Sequence, residues 1–495
     1  MQRLRSSTLP SAPSGIRTPG YDRDKLSIGM AHIGVGAFHR CHQSEFTDDM
    51  LEARFGPWGE IGVNLRPPLL GPILGAQDGL YTRTLREGER AETRIIGALK
   101  QVIDAGDAEG AETAIAALAS PLVHVATMTI TEKAYCRIPS TGKIDWSNVD
   151  LARDRDRSGA PSTIHGLLAR VLQRRMATGA GGLTLISCDN VPANGELLAS
   201  VLMDFIGATS AELAQWVERN VTFPSTMVDR IVPATAASDI ATVSQALGLE
   251  DQAAVVGETF RQWVIEDNFA GPRPPWDLAG AQFVTNVEPY ELIKMRVLNA
   301  AQSVFSQLGA IVGHTYSHQA ASDPVLEALV RAMLERETIT TLPVLADMPV
   351  TAYIGTSMRR IQNTAIHHFC HQIGTDGSQK IVQRLVNPLR ERMADGHPPG
   401  LLALGVASWM AYDLCGAKRF GTRWMPDDPL AEAVIAIGDR TGHDFGALAH
   451  RMLGLEAIFG TDLLGSPAET AIASHLEGLL GREPRGYLSG LAPDL

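Results

Sequence analysis

The chain has 495 residues, with 45% hydrophobic and 20% charged side chains and a formal net charge of −12 at pH 7. This length exceeds what a single hydrophobic core usually serves, so we expect two large domains, and the near-average composition excludes a wholly disordered chain. The acidic balance argues against nucleic acid and anionic lipid as partners, because both are negatively charged themselves.

The cysteines and the apolar runs of the sequence indicate the compartment. Five cysteines are widely scattered and form no C-x-x-C pair, which is typical of a reduced environment. No apolar run approaches the roughly 18 residues that cross a bilayer, and the N-terminal segment lacks the apolar stretch of a signal peptide. We therefore predict a cytoplasmic protein without a membrane partner.

The predicted elements fall into three stretches along the chain. Residues 1–25 are rich in Ser, Pro, Gly and Arg without apolar periodicity, which predicts a flexible N-terminal arm. In residues 26–285, short apolar runs alternate with helical patterns, which predicts a Rossmann-like α/β domain on a parallel sheet. In residues 286–495, long amphipathic segments predict an all-helical second domain, and we expect the active site in the crevice between the two.

A glycine-rich turn follows the first predicted strand of the α/β domain, in IGVGAFHR (33–40). Gly34 and Gly36 let the backbone turn tightly, so that a pyrophosphate can approach amide groups at the following helix. The third glycine of the dinucleotide fingerprint is replaced by His39. The pattern by itself therefore favours either nucleotide binding or a plain turn.

The end of the second predicted strand, NLRPPLL (64–70), bears on the choice of cofactor. An acidic residue at this place usually holds the adenosine ribose hydroxyls, and an arginine can accept the 2′-phosphate of NADP. Arg66 is present and no carboxylate follows directly. This leaves NAD and NADP both open, and Arg66 can equally be a solvated loop residue.

The segment YELIKMRVLNAAQ (290–302) carries a candidate acid/base. Lys294 lies on an apolar helix face, and such a setting can lower the pKa of a lysine enough to take a proton from an alcohol. Asn299 and Asn190 can each donate an amide N–H to a developing alkoxide. The alternative is an ordinary surface lysine paired with Glu291, one turn earlier.

Three other chemistries find less support in the sequence. Tyr290 and Lys294 show the Y-x-x-x-K spacing of short-chain dehydrogenases, but about 250 residues separate this pair from the glycine turn, so we discount that assignment. The histidines at 367, 368 and 371 lack Cys partners and an H-E-x-x-H frame, so we expect no metal. A serine nucleophile lacks its G-x-S-x-G elbow.

Seven segments taken together resemble one known family. They are IGVGAFHRCHQ (33–43), TITEKAY (129–135), SCDNVPANG (187–195), TFPSTMVDRIVP (222–233), RQWVIEDNF (261–269), KMRVLN (294–299) and DGSQK (376–380). From about residue 30 to about residue 460 the chain resembles the mannitol dehydrogenase family of polyol-specific long-chain dehydrogenases. Within that family the pattern is most similar to the fructuronate reductases.

The resemblance implies an activity and its partners. It implies hydride transfer between NAD(H), with NADP as the other option, and the secondary alcohol or ketone of an open-chain sugar acid. D-fructuronate and D-mannonate are the favoured pair. The alternatives are a mannitol- or arabinitol-type 2-dehydrogenase and a tagaturonate reductase. The partner would be a small sugar acid or polyol, and the protein a monomer or a small homo-oligomer.

The resemblance also implies roles for catalytic residues. Lys294 would be the general acid/base, and Glu291 would relay its proton towards water. Asn190 and Asn299 would polarise the substrate carbonyl. The cofactor-binding residues would be Ile33, Gly34, Val35, Gly36, Ala37, Phe38, His39, Arg40, Arg66, Val228 and Asp229.

Substrate-binding residues complete the implied site. Asp229, beside Val228, would lie where nicotinamide and substrate meet, and Lys380 would bind substrate oxygens. We expect Arg360 to add positive charge for an anionic substrate. Gln302 stands where family members usually carry histidine, and it donates a hydrogen bond but does not titrate. Rate or substrate choice can therefore differ, and a non-catalytic dinucleotide-binding sensor is an alternative of another class.

Overall fold

In the computed structural model, which describes residues 1–67, 69–138 and 141–492, the chain divides into unit 1 (Met1–Glu288) and unit 2 (Pro289–Leu495). The sequence-based boundary between the two domains lies at residues 285 and 286. The strands of the described chain lie in unit 1. They are β1 (Gln2–Arg3), β2 (Ile28–Ile33), β3 (Gly59–Asn64), β4 (Tyr81–Glu87), β5 (Arg90–Ile96), β6 (Leu99–Asp104), β7 (Val125–Met128), β8 (Leu183–Ser187), β9 (Val221–Thr222), β10 (Thr226–Asp229), β11 (Leu249–Glu250), β12 (Val255–Glu258), β13 (Gln262–Glu266) and β14 (Gln282–Val284).

The central sheet of unit 1 has six parallel strands in the order β6-β3-β2-β7-β8-β9. The strand order reverses between β2 and β7, since the chain moves outward from β2 to β3 and β6 and then returns to β7. In open α/β sheets, ligands bind beyond the carboxyl ends of the strands next to such a reversal. The turns after β2, β3 and β7 are therefore the expected place for a ligand.

Helices cover this sheet. Those of unit 1 are α1 (Ala37–Cys41), α2 (Gln43–Ala53), α3 (Gly71–Ala76), α4 (Ala108–Leu118), α5 (Val149–Arg155), α6 (Ile164–Thr178), α7 (Asn194–Gly207), α8 (Ala211–Asn220) and α9 (Ala237–Leu247). Ala31 and Ala126 belong to one apolar cluster with residues of α4, α6 and α7, whereas their neighbours Met30 and Val125 belong to a second cluster with Phe46 of α2. Because alternate strand residues point to opposite faces, both faces of the sheet are buried.

Smaller sheets flank the central one. β10 pairs antiparallel with β13, which pairs in parallel with β14. β4 pairs antiparallel with β5 and parallel with β12. These sheets place the strand that ends at Asp229 within unit 1.

The N-terminal residues 1–25, predicted as a flexible arm, pack against the rest of unit 1. β1 pairs in parallel with β11, and Leu4 is fully buried. The Arg23 guanidinium donates to the carbonyl oxygens of Gly97 at 2.9 Å and Leu99 at 3.0 Å. Backbone and guanidinium hydrogen bonds hold this segment. Such hydrogen bonds do not require a periodic pattern of apolar residues, so the sequence did not reveal them.

Unit 2 is mainly helical. Its helices are α10 (Glu288–Lys294), α11 (Ala300–Val312), α12 (Ser317–Ala321), α13 (Pro324–Ala332), α14 (Val350–Ile361), α15 (Cys370–Gly374), α16 (Gly377–Ile381), α17 (Asn387–Ala394), α18 (Gly400–Leu414), α19 (Ala431–Thr441), α20 (Phe445–Leu453), α21 (Glu456–Phe459), α22 (Pro467–Leu476) and α23 (Pro484–Leu491). The buried helix α18 packs against α11 and α22. The predicted combination of a Rossmann-like domain and a mainly helical domain is confirmed. None of the described helices has both the length and the apolar character required to cross a bilayer.

Four π-helical turns interrupt the described helices of unit 2. They are Met295–Asn299 between α10 and α11, Met333–Glu337 after α13, Val382–Val386 between α16 and α17, and Glu477–Gly481 after α22. A π-helical turn widens the helix by one residue, and such turns occur frequently at functional sites.

Candidate active site

The loop after β2 has a backbone that only glycine allows at one position. Gly34 has a φ of +91° and donates its N–H to Val63 O at 2.8 Å. A Cβ at Gly34 would lie 2.2 Å from the carbonyl oxygen of Thr129. Gly36, by contrast, has a φ of −90°, and its Cβ would meet nothing nearer than Gly34 O at 3.9 Å. The loop therefore leaves bare backbone where a ligand can approach.

His39 takes the place of the third fingerprint glycine. Its ring stacks on His32 of β2, with 3.5 Å between ring centroids and 8° between ring planes. His39 is fully buried, and its Nε2 lies 3.4 Å from Oε2 of Glu60. The third glycine normally permits close packing of helix on strand, and here two stacked imidazoles fill that space.

A cavity of about 420 Å³ opens beside this loop, at the reversal of strand order. Residues at the ends of β2, β3 and β7 line it, together with Lys133, Ala134, Cys136, Asn148, Asp150 and residues 162–164. Of the predicted cofactor-binding residues, those that line it are Ile33, Gly34, Val35, Gly36 and Arg66. Its position and its bare glycine backbone fit a dinucleotide.

The other predicted loop residues, Ala37 to Arg40, lie outside the lining of this cavity. The guanidinium Nε of Arg40 donates to Gly36 O at 3.2 Å, and Tyr81 donates its hydroxyl to Arg40 O at 2.8 Å. Arg40 is 7% exposed. It therefore supports the glycine loop from inside the protein.

Asn64 is a residue of this site that the sequence did not single out. It ends β3, its Oδ1 accepts the N–H of Val35 at 2.9 Å, and its Nδ2 donates to Asp104 Oδ1 at 3.1 Å. An amide at the end of a strand holds the neighbouring loop in shape. Its position as the last residue of the second predicted strand is the sequence feature that could have identified it.

Asn190 follows β8 and Asp229 ends β10, and hydrogen bonds join these two strands. Thr226 of β10 donates its hydroxyl to Ser187 O of β8 at 2.6 Å, and Asn194 accepts the Thr226 N–H at 2.9 Å. Asn190, three residues after β8, is exposed, whereas Asp229, the last residue of β10, is 2% exposed. Val228, beside Asp229, belongs to the apolar core.

Asp189, directly before Asn190, was not predicted as a site residue from the sequence, although it belongs to the family-like segment SCDNVPANG (187–195). Its carboxylate accepts the N–H groups of Thr131 at 2.9 Å and Ile130 at 3.2 Å and the hydroxyl of Tyr135 at 2.8 Å. Burial raises the pKa of Asp189. The residue joins the turn after β7 to the turn that carries Asn190.

In unit 2, the predicted acid/base lies directly before a π-helical turn. Lys294 ends α10 and Asn299 ends the turn Met295–Asn299, and they are 7% and 4% exposed. Bonding between residues i and i+5 brings side chains five apart to one side of a helix, whereas an α-helix separates them. Asn299 Nδ2 also lies 3.4 Å from Met295 Sδ. The five-residue spacing of Lys294 and Asn299 equals the i to i+5 step of such a turn.

Arg384 holds this turn and was not predicted. Its Nη1 donates to Asn299 O at 3.2 Å and to Ser303 Oγ at 2.8 Å. Burial lowers the pKa of Arg384 to about 10. Arg384 also lies four residues after Lys380 in one helical stretch, so it links the Lys380 helix to the turn that carries Asn299.

Lys380 is held by its own loop. Its Nζ donates to Thr375 O, and Asp376 between them has a φ of +54°. The N–H of Ser378 donates to Asp428 Oδ2 at 2.6 Å. Asp428 thus fixes the first turn of the helix that carries Lys380.

The remaining predicted residues of unit 2 surround the same π-helical turn. Glu291 and Gln302 are partly exposed, one turn before Lys294 and three residues after Asn299. Arg360 is 7% exposed and lies in α14, which packs against the turn.

The Tyr290 hydroxyl is engaged elsewhere. It donates to Asp347 Oδ2 at 2.7 Å, and burial together with this hydrogen bond raises the pKa of Tyr290 to about 12. A tyrosine with a raised pKa is a poor proton donor near neutral pH. This arrangement agrees with our preference for Lys294 over the Y-x-x-x-K assignment.

The histidines of unit 2 have partners of other kinds. His371 Nδ1 lies 2.7 Å from the hydroxyl of Tyr412, and the ring of His367 lies 5.2 Å from that of Tyr316. Burial, with the charge of Lys380, lowers the pKa of His368 to about 4. Within residues 1–67, 69–138 and 141–492, no group of three or more His, Cys, Asp or Glu side chains is placed to hold a metal ion.

The parallel sheet with its glycine turn, followed by a mainly helical unit, is typical of dinucleotide-dependent oxidoreductases. Two family models match this chain: the mannitol dehydrogenase Rossmann domain over residues 28–278 and the mannitol dehydrogenase C-terminal domain over residues 286–478. The chain belongs to the mannitol dehydrogenase family, as its sequence motifs predict.

Individual relatives agree with this membership. The chain is 37% identical over 458 residues to the uncharacterized oxidoreductase YdfI of Escherichia coli, which covers 92% of this chain and 93% of that protein. It is 36% identical over 466 residues to the D-mannonate oxidoreductase of Escherichia coli, with 94% of each covered. The mannitol 2-dehydrogenase of Pseudomonas fluorescens, solved as a ternary complex with NAD and D-mannitol, superimposes over 100% of both chains with a TM-score of 0.89 and 32% identity.

Proposed function

We propose that this protein catalyses reversible hydride transfer between NAD(H) and the secondary alcohol or ketone of an open-chain sugar acid, with D-mannonate and D-fructuronate as the favoured pair. The observation that carries the proposal is the π-helical turn Met295–Asn299, beside which Lys294 and Asn299 are both buried. An amine next to an amide donor, shielded from bulk water, suits the interconversion of an alcohol and a ketone. The 36% identity to D-mannonate oxidoreductase supports the substrate.

Residues of unit 1 hold the cofactor in this proposal. NAD supplies the hydride chemistry when it is bound. Gly34 and Gly36 would let its pyrophosphate approach the backbone, and Arg66, which lines the same cavity, would lie near the adenosine ribose. The kinship with an enzyme solved with NAD supports NAD over NADP. Val228 and Asp229 would hold the nicotinamide end of the cofactor.

The proton is handled by side chains of this chain. Lys294 takes the hydroxyl proton when the alcohol is oxidised and returns it when the ketone is reduced. Asn299 and Asn190 donate amide N–H groups to the substrate oxygen as negative charge develops on it. Glu291, one helical turn before Lys294, passes the proton on to water.

Basic residues of unit 2 bind the acidic substrate. Lys380 and Arg360 supply positive charge for the carboxylate, which the acidic surface of the chain as a whole does not. Gln302 donates a hydrogen bond to a substrate hydroxyl. Because Gln302 does not titrate, it adds no pH dependence of its own to the rate.

The experiment follows NADH and NADPH absorbance separately with D-fructuronate, D-tagaturonate and D-fructose as substrates. We expect NADH oxidation with D-fructuronate to be fastest. Lys294→Ala should lower kcat by at least about 10²-fold, the size of a lost general acid, while the Kd for NADH stays within about twofold. Near-normal turnover by Lys294→Ala would refute the mechanism.

A polyol 2-dehydrogenase is the second candidate, and the similarity to a mannitol 2-dehydrogenase favours it. Lys380→Met separates the two. A sugar acid needs a cationic partner for its carboxylate, so its KM should rise about tenfold or more, whereas the KM of a neutral polyol should stay unchanged. NADH binding without turnover of any of the three substrates would instead favour the sensor.

We also propose a cytoplasmic location. All five cysteines are free, and Cys41, Cys188, Cys370 and Cys415 are buried. Reduced, buried thiols are typical of proteins in a reducing compartment. The oligomeric state stays a prediction.

A further inference from the structure

The cavity of unit 1 lacks the acidic residue that usually selects NAD at the end of the second strand. Enzymes of this fold hold the adenosine ribose hydroxyls with a carboxylate at that position. In this chain the sequence there is Leu65-Arg66-Pro67-Pro68-Leu69-Leu70, without an acid. A carboxylate that accepts hydrogen bonds from the ribose hydroxyls must therefore come from another part of the chain.

Asp150 brings a carboxylate to this place. It is the second residue of α5 and lines the same cavity as Arg66. Its Oδ2 accepts a hydrogen bond from Arg66 Nη2 at 2.8 Å, and the same Nη2 donates to Ser162 O at 3.2 Å. Asn148 caps α5 by accepting the Asp150 N–H at 2.9 Å, which fixes the backbone that carries the carboxylate.

We propose that Asp150 is the residue that selects NAD over NADP, by accepting hydrogen bonds from the adenosine ribose hydroxyls and by engaging Arg66. The inference rests on the proposed function, since it assumes that the cavity holds the adenosine half of the cofactor. Arg66, which on its own would favour a 2′-phosphate, is paired and neutralised by Asp150 across 84 residues of sequence.

The charges at this end of the cavity favour a neutral diol over a phosphate. A 2′-phosphate would meet the carboxylate of Asp150 and could reach Arg66 only by separating the ion pair. Arg153 lies 3.7 Å from Asp150 Oδ1, and Lys133 also lines the cavity. With Asp150 neutralised, Arg66, Lys133 and Arg153 would leave an unbalanced positive cluster that attracts a phosphate.

The test measures the Kd of NADH and of NADPH by fluorescence titration of the purified full chain. The wild type should bind NADH at least about tenfold more tightly than NADPH, and Asp150→Asn should reverse or abolish this preference, with NADPH binding about tenfold tighter than in the wild type. Asp150→Asn combined with Arg66→Gln should lose the gain, because the 2′-phosphate then lacks its cation. Asp150 is 30% exposed and Asn has its shape, so the fold should persist, which a thermal melt checks.

The matched control is Asp156→Asn. Asp156 follows α5 at its other end and is 62% exposed, so this variant removes the same charge away from the cavity. It should leave both Kd values unchanged. An unaltered NADH/NADPH ratio in Asp150→Asn, or a wild type that prefers NADPH, overturns this assignment and leaves the dehydrogenase proposal standing. Binding of neither dinucleotide by the wild type overturns both.

Discussion

The two glycines of the loop after β2 differ in what a methyl group would meet. At Gly34 the φ of +91° is strained for other residues, and a Cβ would lie 2.2 Å from Thr129 O. Gly34→Ala should therefore destabilise unit 1 by about 2 kcal/mol or more, the sum of backbone strain and a displaced carbonyl. The urea midpoint, followed by tryptophan fluorescence, measures this effect.

Gly36→Ala is the control for Gly34→Ala. Gly36 has a φ of −90°, and the nearest atom to its Cβ would be 3.9 Å away, so stability should change by less than about 1 kcal/mol. The methyl group would instead face the cavity and weaken NADH binding. Equal loss of stability in both variants would contradict the distinction.

Asp413 in α18 should make the stability of unit 2 depend on pH. It is fully buried, and neither oxygen has a hydrogen-bond partner among the described residues. Burial, with the charge of Asp428, raises the pKa of Asp413 from 3.8 to about 8. The folded state keeps this proton up to about pH 8, whereas the unfolded chain releases it above its lower pKa. The stability that protonated Asp413 contributes at low pH is therefore lost as the pH rises towards its folded pKa of about 8.

Asp413→Asn tests this sign. The amide has no proton to lose, so the variant should gain stability relative to the wild type by about 1.4 kcal/mol per pH unit between about pH 5.5 and pH 8, and no further gain should follow above that range. Urea unfolding of both proteins over this range measures the difference. Parallel pH profiles would show that Asp413 is ionised in the fold.

At the scale of elements, the π-helical turn shows how far helix periodicity could predict the site. The sequence places Tyr290, Lys294 and Leu298 on one α-helical face, and that pattern identifies the helix correctly. It does not reveal the extra residue between Lys294 and Asn299, because a π-helical turn depends on tertiary contacts such as the hydrogen bond from Arg384 to Asn299 O. The residue types of the site could be predicted from the sequence, but the π-helical turn between them could not.

Arg384→Met should therefore act on turnover more than on stability. Loss of its hydrogen bonds to Asn299 O and Ser303 Oγ frees the turn, and a small misplacement of Lys294 and Asn299 should lower kcat about tenfold to a hundredfold. Removing a buried charge also removes its desolvation cost, so the urea midpoint should fall little. Steady-state kinetics and unfolding together test the split.

The control for Arg384→Met is Arg390→Met. Arg390, in the next helix, binds Asp462 at 2.7 Å with its side chain 27% exposed. Its loss should leave kcat unchanged. A similar fall of kcat in both variants would indicate a general effect of removing an arginine, not a role in shaping the turn.

At the scale of the whole fold, local sequence patterns were sufficient to predict the fold class. They were not sufficient to predict contacts between residues that are far apart in sequence. Strand, glycine turn and helix follow one another within a few residues, so the Rossmann-like start at Gly34 could be predicted. The pairing of Arg66 with Asp150 and the packing of Leu4 join residues far apart in sequence. Such contacts follow from the completed topology, which single-sequence periodicity does not contain.

A buried ionic cluster in unit 1 is a contact set of this long-range kind. Glu45 of α2 lies 3.1 Å from Arg83 of β4, 3.4 Å from Arg261 and in a short ion pair with Arg230, which follows β10. Burial acts to raise the pKa of Glu45, but the charges of Arg230, Arg83 and Arg261 outweigh it, and the pKa lies below its ordinary value. One carboxylate thus lies within ion-pair distance of three arginines from separate parts of unit 1.

Glu45→Gln should therefore destabilise unit 1 by about 3–5 kcal/mol, because the buried Arg230 loses its ion pair, whereas Arg83 keeps Glu92 and Arg261 keeps Asp49. Glu92→Gln provides the comparison, since Glu92 pairs with the same Arg83 at 3.3 Å but is 70% exposed, and its loss should cost less than about 1 kcal/mol.

The stabilisation by Glu45 should also depend on pH. Since the pKa of Glu45 is lowered in the fold, its contribution is present above the ordinary carboxyl pKa of 4.5 and is lost as the pH falls through the folded value. Urea unfolding at neutral pH and near pH 4 should show the gap between wild type and Glu45→Gln narrowing on acidification. If Glu45→Gln is no less stable than Glu92→Gln, solvent rather than Glu45 compensates the arginines.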